Sequence, residues 1–307
     1  MSPSGRSGRH AALGTLMVLG AAAGFSVKSI IIKLAYGYGA DATSLFALRQ
    51  LFSAPFFAGL AWWSGRNAAT RDAPGRRDWV HLVVLGLLGY YLAAWLDFLG
   101  LRHVSASLER LILFLHPTVV LLLSAWWLKT PVRRAQVAAL GVCYAGIVLV
   151  FIDQAGLAPA GDDLLLGSSL VFASAVAYAV YLIGSSRVVH RFGAIRFTSW
   201  AMLAATVVGL TQFAWTHGFE ALRLPAPVYG LSAVMAVCCT VLPALLMSEG
   251  LRRVGATQAS LIGTIGPVLT MALGVAVLDE RMGPMQLLGA ALVVSGVALV
   301  SLRRAAA

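Results

Sequence analysis

The chain has 307 residues, of which 59% are hydrophobic and only 11% charged. So few polar side chains cannot cover a soluble globule, which excludes that class and leaves a polytopic membrane protein. A formal charge of +11 would suggest a nucleic-acid partner in a soluble protein, but here the basic residues cluster between apolar runs, where they set orientation in a bilayer.

A transmembrane helix needs roughly 20 mostly apolar residues to cross about 30 Å of hydrocarbon. Residues 1 to 10 (MSPSGRSGRH) are polar and basic. The apolar run from 11 to 36 is too long for a signal-peptide core and has no clear cleavage site, so it stays as the first helix. Further spans read as 43 to 64, 79 to 101, 104 to 128, 133 to 152, 164 to 188, 195 to 217, 228 to 250, 254 to 278 and 283 to 302, which makes ten. Cys143, Cys238 and Cys239 lie inside apolar segments without disulfide or metal-ligand spacing, and read as small core residues.

Loop charges test this count. With the N-terminus in the cytoplasm, 16 basic residues fall inside, whereas the outer loops hold only Arg102, Arg223 and Arg281. The acidic residues Asp153, Asp162, Asp163, Asp279 and Glu280 fall outside. That alternation predicts an all-α protein of ten transmembrane helices with both termini in the cytoplasm.

The chain also repeats itself. Shifted by 150 positions without a gap, residues 96 to 150 match 246 to 300 at 15 of 55 positions. Gly100-Leu101-Arg102 falls on Gly250-Leu251-Arg252, Pro117 on Pro267, Gln136 on Gln286 and Gly146 on Gly296. Upstream, Gly14, Val18, Ala22 and Val27 match Gly167, Val171, Ala175 and Val180 at an offset of 153. Two units, 1–153 and 154–307, are predicted, and because each holds five helices the second lies upside down relative to the first. Inverted repeats of this kind suit alternating access to a central site.

The stretch GLRRVGATQASLIGTIGPVLTMALGVAVLDE at 250 to 280, its counterpart GLRHVSASLERLILFLHPTVVLLLSAWWLKT, and IIKLA at the end of the first helix followed by Arg49 resemble the EamA type of the drug/metabolite transporter superfamily. The resemblance covers essentially the whole chain. It implies ten helices from a five-helix duplication and export of a metabolite, amino acid or drug, with the YddG-type aromatic amino-acid exporters as one branch. The first half departs from the pattern at Lys129-Thr130, where the second keeps Asp279-Glu280.

Ionisable groups within spans cost roughly 3 kcal/mol or more each unless they meet partners or water. The candidates are Lys28, Lys33, Arg49, Asp97, Glu109, Arg110, His116 and Glu249. Lys28, Arg49 and the Glu109-Arg110 pair reach similar depths in the outer half of the first repeat, where they could line a cavity that binds a substrate carboxylate; fixed ion pairs are the competing reading. Lys33 reads as snorkelling to the interface and Asp97 as structural. Seven of the eight tryptophans lie near predicted helix ends as belt residues, whereas Trp95 sits deeper. Tyr90, Tyr91, Trp95, Tyr178 and Tyr181 could together line a pocket for flat or aromatic substrates, or simply pack. His116 reads more readily as a hydrogen-bonded core histidine than as a proton relay. Pro117 and Pro267 each free a carbonyl one turn back and suit hinges, with Ser260 and Thr264 offering a polar wall beside them.

No H-E-x-x-H, phosphate loop, nucleophile elbow or ATP-binding motif is present. The expected function is therefore secondary or facilitated transport in the inner (plasma) membrane by a non-enzyme with no cofactor and no metal. Its partners are a small-molecule substrate and the lipid bilayer, and a monomer suffices. Amino acids with aromatic or other hydrophobic side chains are the expected cargo; a membrane-embedded transferase and a channel are the alternatives.

Overall fold

A computed structural model describes residues 3–66, 74–127, 134–157, 163–263 and 265–305. Of the candidate site residues named above, Thr264 and the side chains of Pro117 and Ser260 lie outside the described residues. The described chain is helical throughout: α1 (Pro3–Gly37), α2 (Ala42–Arg66), α3 (Arg76–Gly86), α4 (Ala93–Gly100), α5 (Ala106–Leu113), α6 (His116–Trp127), α7 (Arg134–Leu157), α8 (Leu164–Phe192), α9 (Ala194–Thr216), α10 (Ala226–Ala236), α11 (Leu242–Gly263), α12 (Ile265–Leu278) and α13 (Pro284–Ala305). Six stretches are each long and apolar enough to cross a bilayer: Ala12–Gly37, Ala42–Arg66, Arg76–Gly100, Leu164–Ser185, Ala194–Thr216 and Ala226–Met247. Shorter apolar helices at Gly141–Gln154, Ile265–Leu278 and Pro284–Gly296 accompany them. The protein is thus an all-helical, multi-pass membrane protein.

Two departures from the predicted spans have local causes. The turn expected near residues 251–253 is absent, because α11 runs unbroken from Leu242 to Gly263. In the first half the matching turn exists because the Ser105 side chain accepts a hydrogen bond from Leu108 N at 3.1 Å and caps a new helix. Gly255 stands 150 positions on and has no side chain to do this. Arg253 instead pairs with Glu249 at 2.7 Å, one turn back along the continuous helix. The second departure is that the fourth predicted span is two helices, α5 and α6, separated at Phe114-Leu115.

That second break follows from Pro117, which has no N–H to offer the carbonyl of Leu113. His116 Nδ1 lies 3.0 Å from that oxygen; since a carbonyl only accepts, Nδ1 carries the proton and donates. Pro267 stands 150 positions later, near the start of α12.

Another feature recurs at the same offset. The third span carries a π turn at Leu87–Leu92 between α3 and α4, and a second π turn occupies Val237–Val241 between α10 and α11. Each extra residue rotates the downstream part of the helix by about a third of a turn, a device frequent at functional sites. Thr240 Oγ1 donates to the carbonyl of Met235 at 3.2 Å, five residues back, in keeping with the widened turn.

Small residues set the closest helix crossings. A methyl group added at Gly100 would come within 2.6 Å of Val171 Cγ2, and one at Gly250 within 2.6 Å of Val18 Cγ2, so α4 meets α8 as α11 meets α1. Helices α7 and α13 cross where a methyl at Gly146 would lie 2.5 Å from the Gly289 carbonyl oxygen.

Candidate functional site

Four helices bring charged side chains to one buried place. Lys28 on α1 places Nζ 2.6 Å from Asp97 Oδ2 on α4 and 3.5 Å from Glu109 Oε1 on α5. Ser29 Oγ donates to the other Glu109 oxygen at 2.6 Å. Glu109 is wholly buried, Asp97 2% exposed and Arg49 6% exposed. Isolated charges at such positions would drive the helices apart or neutralise, so the pairing is what permits them.

Arg110 and Arg49 flank the core of this cluster, and both lie within electrostatic reach of Asp97. The Arg49 guanidinium sits over the rings of Phe46 and Phe98, 5.0 and 5.1 Å from their centroids. The Arg110 side chain passes beside Gly266, where an added methyl would come 2.9 Å from Nη2. Ser26 ties the same region to α12, donating to the Gly266 carbonyl at 3.0 Å while its own carbonyl accepts from Thr270 Oγ1 at 3.2 Å.

Three cations, Lys28, Arg49 and Arg110, therefore face two carboxylates, Asp97 and Glu109. Several of their buried atoms have no hydrogen-bond partner among the described residues: Arg49 Nε and Nη2, Arg110 Nε, Trp95 Nε1 and Asp97 Oδ1. Buried polar atoms are ordinarily satisfied. Unfilled donors on two arginines and an indole thus share this region with unfilled carboxylate oxygens on Asp97 and Glu109.

The aromatic candidates divide into two groups. Trp95 and Tyr91 stack with centroids 6.4 Å apart, and Tyr91 meets Phe46 edge-on at 6.0 Å, so this pair borders Arg49. Tyr90 leaves the helix on another side. Its hydroxyl shares a 2.8 Å hydrogen bond with that of Tyr181, which packs on Tyr178, and Tyr178 meets His116 edge-on at 5.8 Å. Tyr90 and Tyr91 both lie in the π turn, and Gly89 within it leaves room for the Tyr181 ring against the backbone.

Among the charged candidates, Lys28, Arg49, Glu109 and Arg110 come together, as the depth argument expected them to. Asp97, read from the sequence as structural, is the nearest partner of Lys28. Ser29 and Ser26 carried no signal, since serines are common in transmembrane helices. Glu249 pairs with Arg253 away from the cluster. Pro267 is buried on α12 next to Gly266. No group of histidine, cysteine or carboxylate ligands suited to a metal ion occurs among the described residues.

The model of the EamA-like transporter family matches this chain twice, over residues 12–152 and 165–302. An uncharacterized transporter of Bacillus subtilis (strain 168), YcbK, is 32% identical over 294 residues, covering 92% of this chain and 90% of its own. A probable terminal-alkyne amino-acid exporter of Streptantibioticus cattleyicolor is 29% identical over 237 residues, 75% of each chain. An uncharacterized inner membrane transporter of Salmonella typhimurium, YicL, is 25% identical over 232 residues, 74% of each. One solved crystal structure superposes with a TM-score of 0.66 over 94% of this chain and 96% of its own at 20% identity, which establishes the likeness of fold.

Proposed function

The chain belongs to the EamA-like transporter family and is a transporter of the inner (plasma) membrane, and from that premise we propose that it exports amino acids with aromatic or other hydrophobic side chains. The observation that carries the proposal is the unfilled set of buried atoms around Lys28. A substrate carboxylate completes Arg49 Nε and Nη2 and the Trp95 indole N–H, while an α-ammonium completes Asp97 Oδ1. The surplus of one cation over the carboxylates favours a ligand whose anionic end enters deepest. Tyr91, Trp95, Phe46 and Phe98 supply an apolar wall for the side chain. The amino-acid exporter among the relatives is in keeping with this reading.

Movement follows from the proposed halves, 1–153 and 154–307, as inverted repeats that exchange conformations. In this scheme the helix break before Pro117 and the proline at the matching position, Pro267, act as paired hinges, and Lys28 exchanges carboxylate partners as substrate enters and leaves. The test is counterflow in proteoliposomes with a panel of aromatic and aliphatic amino acids. Flux should saturate, and Lys28→Met or Glu109→Met should reduce it at least about tenfold, the factor that 1.4 kcal/mol of lost interaction represents. Unchanged flux in both variants would remove the charged site from the mechanism. Flux that rises without saturation and carries current would replace the transporter by a channel.

A further inference from the structure

A cavity of about 550 Å³ lies apart from the buried cluster, where the end of α1, the turn between α4 and α5, the end of α7 and the end of α12 converge. Its size falls within the usual range for a small-molecule pocket, roughly 300–1,000 Å³. Lys33, Arg102, His103 and Arg281 supply its basic lining, Glu280 the acidic one, and Leu164 with Leu278 an apolar side. This charge is unexpected for its location. Loop charges assign this end of the molecule to the outside, where only three basic loop residues occur, and two of them, Arg102 and Arg281, meet at this one cavity.

Glu280 offsets only one of the three cations Lys33, Arg102 and Arg281, and its oxygens already hold partners. Oε1 accepts from Ala106 N at 2.7 Å, and Oε2 accepts from Ser107 Oγ at 2.5 Å and Ser107 N at 3.3 Å, at the start of α5. Asp153 is turned against Gly283, and neither it, Asp163 nor Asp279 is among the residues that line the space. The cavity also lies in series with the buried cluster. Lys33 is five residues beyond Lys28 on α1, about 7–8 Å along the helix, and Glu109 lies in the first turn of the helix that Glu280 caps.

We infer that this cavity is an outer vestibule that binds the carboxylate of the transported substrate through Arg102 and Arg281, one station away from the buried cluster. The inference rests on the reading that the substrate carries a carboxylate. The compact oxyanion that two arginines select is shared by a carboxylate and by the phosphate of a lipid headgroup, and the experiment separates these sources.

His103 lines the cavity and serves as the reporter. The full-length protein, labelled with ¹⁵N-histidine and held in phosphatidylcholine nanodiscs, is titrated with sodium benzoate and, separately, with benzamide; the imidazole resonance is assigned by its loss in His103→Gln. Benzoate should shift the His103 resonance and neutral benzamide should not. Arg102→Gln/Arg281→Gln should weaken the benzoate response about tenfold or more. Both arginines are exposed, so the double variant should fold. Lys28→Met should leave the His103 response intact, which separates the vestibule from the buried cluster. A silent His103, an equal response to benzamide, or an unweakened double variant overturns the inference. Abolition of the response in phosphatidylglycerol nanodiscs assigns the cavity to a lipid headgroup and overturns it as well. Counterflow by the unmodified protein is read independently: absent amino-acid flux with a responsive His103 sinks the proposed cargo and keeps the anion site, whereas normal flux with a silent His103 does the reverse.

Discussion

Replacing Asp97 by Asn keeps the shape of the side chain and removes the carboxylate nearest Lys28. At an effective dielectric constant of about 20, a charge pair at 2.6 Å attracts by roughly 6 kcal/mol and one at 3.5 Å by roughly 5 kcal/mol. Desolvation cancels much of either figure. Lys28 retains Glu109 in the variant, so the expected loss of stability is about 3 kcal/mol, at the low end for breaking a buried pair. Lys28→Met should cost a similar amount, since it leaves Asp97 and Glu109 as neighbouring carboxylates without the cation between them. The double variant removes one charge of each sign and should be less damaged than the two losses added together. A coupling energy of at least about 2 kcal/mol is expected from unfolding in mixed micelles of dodecylmaltoside and sodium dodecyl sulfate. Single-variant losses that add to within about 0.5 kcal/mol would refute the idea that Lys28 and Asp97 depend on each other.

Other outcomes rest on individual contacts. Gly146→Ala would push a methyl to 2.5 Å from the Gly289 carbonyl oxygen, so α7 and α13 must separate, and a loss of roughly 1–3 kcal/mol should appear in the same micelle assay. His116→Phe keeps the ring packed on Tyr178 but leaves the Leu113 carbonyl without its donor, which should cost about 1–3 kcal/mol; no loss would mean that another group serves that carbonyl. Asp41, in the turn between α1 and α2, supplies the pH dependence. Partial burial opposes its ionisation, but hydrogen bonds from Ser44 and Thr43 and the nearby His217 prevail and hold the carboxyl below its usual range. Its contribution is therefore fully present above the unfolded-state value of about 3.9 and lost as pH falls through the lower folded-state value. Asp41→Asn, which still caps α2, should flatten the acid limb of the melting-temperature profile, and an unaltered limb would rule Asp41 out as its source.

The range of each interaction decides whether the sequence reveals it. Apolar runs, basic loops and residues recurring every 150 positions are read along the chain, and they gave the spans and the grouping of Lys28, Arg49, Glu109 and Arg110 by depth. The pairing of Lys28 with Asp97 joins positions 69 residues apart. Asp97 looked structural because a lone carboxylate near a predicted helix end can face an interface at little cost. The π turn at Leu87–Leu92 was equally invisible, since one inserted residue in an apolar run leaves no mark on its composition. The missing turn near residue 252 was legible in principle: Ser105 can cap a helix and Gly255, its counterpart, cannot.

That contrast between the halves bears on how one frame can hold a directional site. The features that recur, Gly100 with Gly250, the two π turns and Pro117 with Pro267, concern how helices cross and bend. The charges do not recur, for Glu109 and Arg110 correspond to Ala259 and Ser260, and Glu280 to Thr130. Glu280 caps α5 from 174 residues away, so on the proposed division the second repeat holds the helix on which the first presents Glu109. On the proposed inverted frame, withdrawing Glu280 would free the start of α5 and loosen Glu109 from Lys28 in one movement. A substrate carboxylate arriving from the buried cluster would then find Arg102 and Arg281 ahead of it. Under the proposed scheme, unequal charge placed on similar scaffolds would let two halves that exchange shapes handle the substrate differently on the two sides of the membrane.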